Sequence, residues 1–221
     1  MTDYDGVNRF TGDFYDYQYF QNGKQSGKGW LEGYHFIPQR SCREALSFID
    51  YLGLNEKSYI LDAGCAYGFL VRTFRYLEIP ADGCDISKFA LSHAPKGCWN
   101  CEDDLSWKEH VHFGYTHCVI KDMLEHLTKQ QLIKMLHNIG LVTSRIMCVV
   151  PIGDNGIYRI PEYHMEISHL IAEDEDWWRS AFENNGWKIT KETNHCPGLK
   201  DNWMHVPDGN HVFVLEKKQF C

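Results

Sequence analysis

The stretch Tyr59-Ile60-Leu61-Asp62-Ala63-Gly64-Cys65-Ala66-Tyr67-Gly68 decides how this chain is read. An apolar run ends in an acid, two glycines bracket a tight turn, and a helical pattern begins at once. A buried strand feeding a glycine turn and then a helix is how α/β folds present a nucleotide-like ligand. The glycines let backbone N–H groups approach where a Cβ would collide. The dinucleotide pattern G-x-G-x-x-G is not met, because Ala66 stands between Gly64 and Gly68.

Strands and helices alternate on both sides of this turn. Upstream, Ser41-Cys42-Arg43-Glu44 has the spacing of a capping box, and Ala45, Phe48, Ile49 and Leu52 recur at helical intervals up to Gly53. The first strand is placed from Ser58. Downstream, a helix with Leu70, Phe74 and Leu77 on one face stops before Pro80. A second strand ends at Gly83-Cys84-Asp85, and Ser87 opens a brief helix halted by Pro95. A third strand falls between Gly97 and Glu102, and a fourth runs from Thr116 to Lys121.

Thr128-Lys129-Gln130-Gln131 is a second capping box, opening a helix with Leu132, Met135, Leu136 and Ile139 on its apolar stripe and Gly140 at its end. Arg145 to Val150 reads as a buried strand stopped by Pro151. An irregular connection over 151–173 follows, then a helix over Asp174 to Asn185 with Trp178, Ala181 and Phe182 inward. Two strands near 187–193 and 210–217 pair as a hairpin. The alternation implies an α/β fold: a doubly wound, mostly parallel seven-stranded sheet with helices on both faces and a terminal antiparallel strand.

The 221 residues suffice for one well-buried α/β domain over 41–221, preceded by an aromatic segment over 1–40. Tyr15, Tyr17, Tyr19, Phe20, Trp30, Tyr34 and Phe36 crowd that segment. A disordered tail lacks so many aromatics. It is read as an ordered arm, either anchoring the extension to the domain or forming a lid over the site. The net charge is −8, with no lysine or arginine run, which argues against a nucleic-acid phosphate groove. No apolar window approaches membrane-spanning length. The start of the chain has no basic or apolar leader, and nine scattered cysteines fit free thiols in a reducing cytosol. A cytoplasmic protein is expected.

The glycine turn resembles the first motif of the Rossmann-like, class I S-adenosylmethionine-dependent methyltransferases, an acid followed by Gly-Cys-Gly-x-Gly. Asp62, Gly64, Cys65 and Gly68 match it, and Ala66 replaces the middle glycine. Gly83-Cys84-Asp85-Ile86-Ser87 looks like the second motif. The resemblance implies that Asp85 accepts hydrogen bonds from the ribose hydroxyls with Ile86 beside it, although an acid there also serves as a helix cap. After the third strand, Asp103 or Asp104 would face the adenine amino group, with Leu105 as apolar partner, unless this is only a solvated turn. Lys121-Asp122-Met123-Leu124-Glu125-His126-Leu127 resembles the segment after the family's fourth strand. Lys121 and Asp122 would then lie near the methionine portion, and Glu125 and His126 at the edge of the acceptor pocket.

Methyl transfer from a sulfonium is an in-line displacement, so alignment supplies much of the rate and a base adds to it. His126 is the first candidate base, because an imidazole titrates near neutrality; His164 and His169 are the second. No metal is expected: His164 and His169 lack the i, i+4 spacing of a helical zinc pair, and Cys98-Trp99-Asn100-Cys101 has no second pair. The reading is an S-adenosylmethionine-dependent methyltransferase, yielding S-adenosylhomocysteine, that acts on an oxygen or nitrogen of a small polar acceptor. Tyr15-Asp16-Tyr17-Gln18-Tyr19-Phe20 looks like the opening of methyltransferases associated with sugars, which ranks sugar-like acceptors first. The alternatives are a catalytically silent binding module of the same fold and a nicotinamide oxidoreductase. Oligomeric state is not legible.

Overall fold

A computed structural model describes residues 9–102, 104–195 and 197–218, with the Asp104 side chain outside that description. The order of elements is α1 (Tyr17–Ser26), α2 (Pro38–Leu52), β1 (Ile60–Ala63), α3 (Phe69–Tyr76), β2 (Ala81–Asp85), α4 (Lys88–Leu91), β3 (Cys98–Asn100), α5 (Asp104–Glu109) and β4 (His117–Lys121). Then follow α6 (Lys129–Val142), β5 (Arg145–Pro151), the short β6 (Gly153–Asp154) and β7 (Ile157–Tyr158), α7 (Glu175–Asn184), β8 (Trp187–Thr193) and β9 (Asn210–Lys217).

Among the described residues, seven strands form one sheet in the order β3-β2-β1-β4-β5-β9-β8. The first five are parallel, and β9 runs antiparallel between β5 and β8. Alternate residues of the strands enter two cores. On one face Leu61, Cys118, Ile120, Ile146 and Phe213 pack against α6 and α7 through Leu136, Trp178 and Phe182. On the other, Ile60, Val119, Met147 and Val149 pack against α2 and α3 through Phe48, Val71 and Phe74. The chain moves outward from β1 to β3 and then returns to β4 on the other side of β1. That reversal opens a crevice at the carboxyl ends of β1 and β4, where this architecture places ligands.

Several sequence expectations are corrected. The helix before β1 starts at Pro38, not at a Ser41 capping box: Pro38 at the first helical position presets φ, and Ser41 is buried inside the helix. Leu77 falls just past α3 and is partly exposed, while Val71 fills the core position. Helix α6 continues through Gly140 to Val142, since burial of Val142 on its apolar stripe outweighs the roughly 1 kcal/mol cost of one internal glycine. The 151–173 connection contains the β6–β7 hairpin, turned by Asn155 and Gly156 with φ of 53° and 85°. Asn-Gly is the dipeptide that tolerates two positive φ values, so the signal was in the sequence.

The aromatic segment is more regular than its sequence pattern suggested. Asp16 caps α1 through the Tyr19 N–H, and Gly27 ends it in a left-handed conformation. Phe10, Tyr15, Tyr19 and Phe20 are buried with Tyr67 and Ala90 in a core of their own. Ser87 donates its hydroxyl proton to the Tyr15 carbonyl. Gly12 lies so close to Ile86 that a Cβ would stand 2.2 Å from its carbonyl oxygen, which fixes the approach of the arm to the end of β2. No helix among the described residues is long and apolar enough to cross a membrane.

Candidate functional site

The crevice holds a cavity of about 250 Å³. Gly64 and Ala66 from the turn, Asp85 and Ile86 after β2, and Asp122 and His126 after β4 all line it. Residues that motif reading missed also line it: Tyr15, Tyr19 and Phe20 of the arm, and Trp107 with Gln131 and Lys134. The arm could be suspected only as a lid. Trp107 carried no local signal and Gln131 only that of a helix cap, because helix faces meet the crevice only after the chain folds.

The turn after β1 depends on left-handed backbone. Gly64 has φ 81°, and a Cβ there would stand 2.5 Å from the Met123 side chain. Ala66 takes φ 47° where glycine would be unstrained, and its N–H donates to Asp85 Oδ2 at 2.8 Å. Asp85 Oδ1 accepts from the Ser87 N–H at 2.8 Å. Each carboxylate oxygen retains capacity for a further hydrogen bond. Burial pushes the Asp85 carboxyl up from its ordinary value, against those backbone donors.

The other predicted cofactor residues sit behind this surface or away from it. Asp62 and Cys65 are buried beneath the turn, and burial raises the Asp62 carboxyl well above the usual range. Gly68 starts α3, with φ 66°. Lys121 stands behind Asp122, its Nζ 2.7 Å from Asp122 Oδ2 and 3.5 Å from Glu44 Oε1. Burial alone would raise the Asp122 carboxyl, but the ammonium groups of Lys121 and Lys200 outweigh it and hold the group well below the carboxylate range. Leu105 is 64% exposed on α5 and does not face the cavity; buried Trp107 takes the inward position. Asp103 lies outside the described residues, and Asp104 begins α5.

Of the histidines, His126 lines the cavity and His164 does not. His164 is exposed on a 3₁₀ turn, where its Nε2 accepts the Tyr158 N–H. The 165–170 segment instead brings His169 inward, with its ring centroid 4.6 Å from that of His126. Glu125 anchors the segment, its carbonyl accepting the N–H groups of Leu170 and Ile171 at 2.7 and 3.1 Å. Glu125 Oε1 lies 3.9 Å from His169 Nε2. Suitable ligand atoms of Glu125, His126 and His169 all lie within 4.8 Å of one another. Burial, with a smaller contribution from the Asp122 charge, pushes the Glu125 carboxyl up to about 8. Burial lowers His126 to about 4 and also pushes His169 well below the ordinary imidazole value, so both imidazoles are neutral at pH 7.

Behind His126, Ser168 Oγ lies 2.9 Å from Nδ1 and donates to Glu166 Oε1 at 2.8 Å. Burial pushes the Glu166 carboxyl from 4.5 up to about 7. A carboxyl raised by folding keeps its proton after the unfolded chain has released its own, so stability falls as pH rises through that window. Glu166→Gln is expected to gain stability relative to the parent between pH 4.5 and 7, on the order of 3 kcal/mol by pH 7.5. Urea denaturation at pH 4.5 and 7.5 measures this; a constant difference would place the titration elsewhere.

Neither a protein-family model nor a curated protein sequence matches this chain. Solved structures do match it. A chain of the Haloferax volcanii complex between the Trm112 methyltransferase activator and a methyltransferase has TM-score 0.64 at 14% identity, over 82% of this chain and 92% of that one. An S-adenosylmethionine-dependent methyltransferase from Archaeoglobus fulgidus has TM-score 0.58 at 14% identity, over 79% and 94%. The chain has the class I methyltransferase fold. Magnesium protoporphyrin IX methyltransferase from Synechocystis, with bound S-adenosylhomocysteine, matches at TM-score 0.58 and 15% identity, over 94% of this chain and 99% of that one. At 14–15% identity the likeness to these structures is one of fold.

Proposed function

We propose that the protein is an S-adenosylmethionine-dependent methyltransferase acting on an oxygen or nitrogen of a small polar acceptor. The observation that carries this reading is one cavity lined together by the Gly64–Ala66 turn, Asp85 and the Asp122–His126 segment. Gly64 leaves a backbone cradle that a side chain would fill, and Asp85 offers acceptor capacity for a ribose. Asp122, tied to Lys121 and Lys200, supplies fixed charge beside the expected methionine portion. Bound there, the cofactor would supply an electrophilic methyl group, whose acceptance by oxygen or nitrogen leaves a neutral thioether and requires the acceptor to lose a proton.

His126 is the acceptor-side group, since of the predicted histidines it lines the cavity and it is neutral at pH 7. Tyr15, Tyr19 and Phe20 close the cleft from the arm, so the aromatic segment serves as the lid that excludes water from the transfer. The acidic net charge favours a small acceptor over a polyanion, and the aromatic wall suits a sugar-like one. Calorimetric titration with S-adenosylmethionine, S-adenosylhomocysteine and NAD tests the reading. Micromolar or tighter binding of the first two, without NAD, is expected. NAD alone would replace the reading with an oxidoreductase, and binding without product across a broad acceptor panel would favour a silent module.

A further inference from the structure

We propose that Glu125, His126 and His169 form a site for one divalent transition-metal ion at the acceptor end of the cleft. Two His nitrogens and one carboxylate oxygen are a donor set that first-row ions such as Zn²⁺, Co²⁺ and Mn²⁺ take, leaving coordination positions open for another ligand. The chain separation of these residues explains why spacing rules gave no sign of the site. It forms only when the 165–170 segment is hydrogen-bonded to the Glu125 carbonyl.

Three observations converge on it. First, the ligand atoms lie within 4.8 Å of one another. A tetrahedral ion about 2.1 Å from each needs them about 3.4 Å apart, which small side-chain rotations supply. Secondly, Glu125 Oε2 is buried with no hydrogen-bond partner, on a side chain only 2% exposed. An unpartnered buried carboxylate oxygen is costly, and a cation is the partner that removes the cost.

Thirdly, both imidazoles are oriented from behind, as metal-bound histidines are. His169 Nδ1 lies 3.0 Å from the Tyr163 carbonyl, which can only accept, so this nitrogen carries the proton and Nε2 the lone pair. The Ser168 hydroxyl gives its proton to Glu166, so its oxygen accepts from His126 Nδ1 and leaves that ring's lone pair on Nε2 as well. The nearby Asp122 carboxylate is held by Lys121 and Lys200 and is not one of the ligands. Because His126 lines the cavity, the open positions face the place where an acceptor would lie. The ion would there bind an acceptor hydroxyl and lower its pKa; this role, unlike the site, rests on the methyltransferase reading.

The test uses the whole chain, treated with chelator, desalted and titrated separately with Zn²⁺, Co²⁺ and Mn²⁺. One ion per chain is expected by elemental analysis, with a visible Co²⁺ spectrum typical of nitrogen and oxygen donors. His169→Ala and Glu125→Gln should each weaken binding at least about 100-fold, and Ser168→Ala about 10–100-fold. His137→Ala, on the exposed side of α6, should leave it unchanged. Absence of binding by the parent at millimolar ion overturns the proposal, as does binding that survives His169→Ala and Glu125→Gln unaltered. Titrating the same metal-free protein with S-adenosylmethionine keeps the two readings separate: cofactor binding with no ion removes only the metal site, and ion binding with no cofactor removes only the methyltransferase reading.

Discussion

Asp85→Ala is expected to weaken S-adenosylmethionine binding by at least about 100-fold. A carboxylate facing two ribose hydroxyls makes two charge-assisted hydrogen bonds, each contributing about 1.5–3 kcal/mol. The same substitution removes the acceptor of the Ala66 and Ser87 N–H groups, loosening the turn that carries the cofactor cradle. Asp85→Asn separates the contributions, since its one carbonyl oxygen keeps part of the turn and loses the charge. Its affinity should fall between the two. Calorimetry on both variants, with circular dichroism showing an intact fold, measures the effect. Affinity within twofold of the parent for Asp85→Ala would show that the ribose binds elsewhere.

His126→Ala should leave cofactor affinity within about threefold and lower turnover by about 10²–10⁴-fold, whether the imidazole itself takes the acceptor's proton or holds the proposed ion that makes the acceptor more acidic. The asymmetry follows from position: His126 lies beyond Asp122 on the segment after β4, whereas the ribose partner lies after β2. Release of S-adenosylhomocysteine in the presence of an acceptor panel is the readout. His164→Ala serves as the comparison, because its imidazole is engaged by the Tyr158 N–H outside the cavity. Should His164→Ala abolish turnover while His126→Ala spares it, the acceptor lies on the other side of the 161–165 turn. Cofactor affinity that falls in step with turnover in His126→Ala would instead assign that residue to the cofactor.

Site residues that were legible in the sequence differ from those that were not in how local their physics is. Residues after β1, β2 and β4 were legible because a strand end, a left-handed turn and an acid occur within a few positions of one another. Thr128 was legible for the same reason, its capping box being closed by Gln131 three residues on. Ser41 has the same spacing and makes no cap, because Pro38 had already started the helix. Leu105 and Trp107 are two residues apart on α5 and point to different sides. Their choice depends on how α5 rolls against β3 and α6. The His164 and His169 exchange has a similar origin, since the 161–171 segment is positioned by hydrogen bonds to Glu125 and not by any period of its own.

Sequence alone determined the α/β alternation, the glycine turn and the acids that end its strands, because these rest on hydrophobic periodicity and on φ values that few residues tolerate. Tertiary structure decided which helix faces and loops close the cleft: the aromatic arm over Asp85, Trp107 in place of Leu105, and His169 brought to Glu125 and His126. Those contacts join segments distant along the chain, and their geometry exists only once the sheet has set the distance between them.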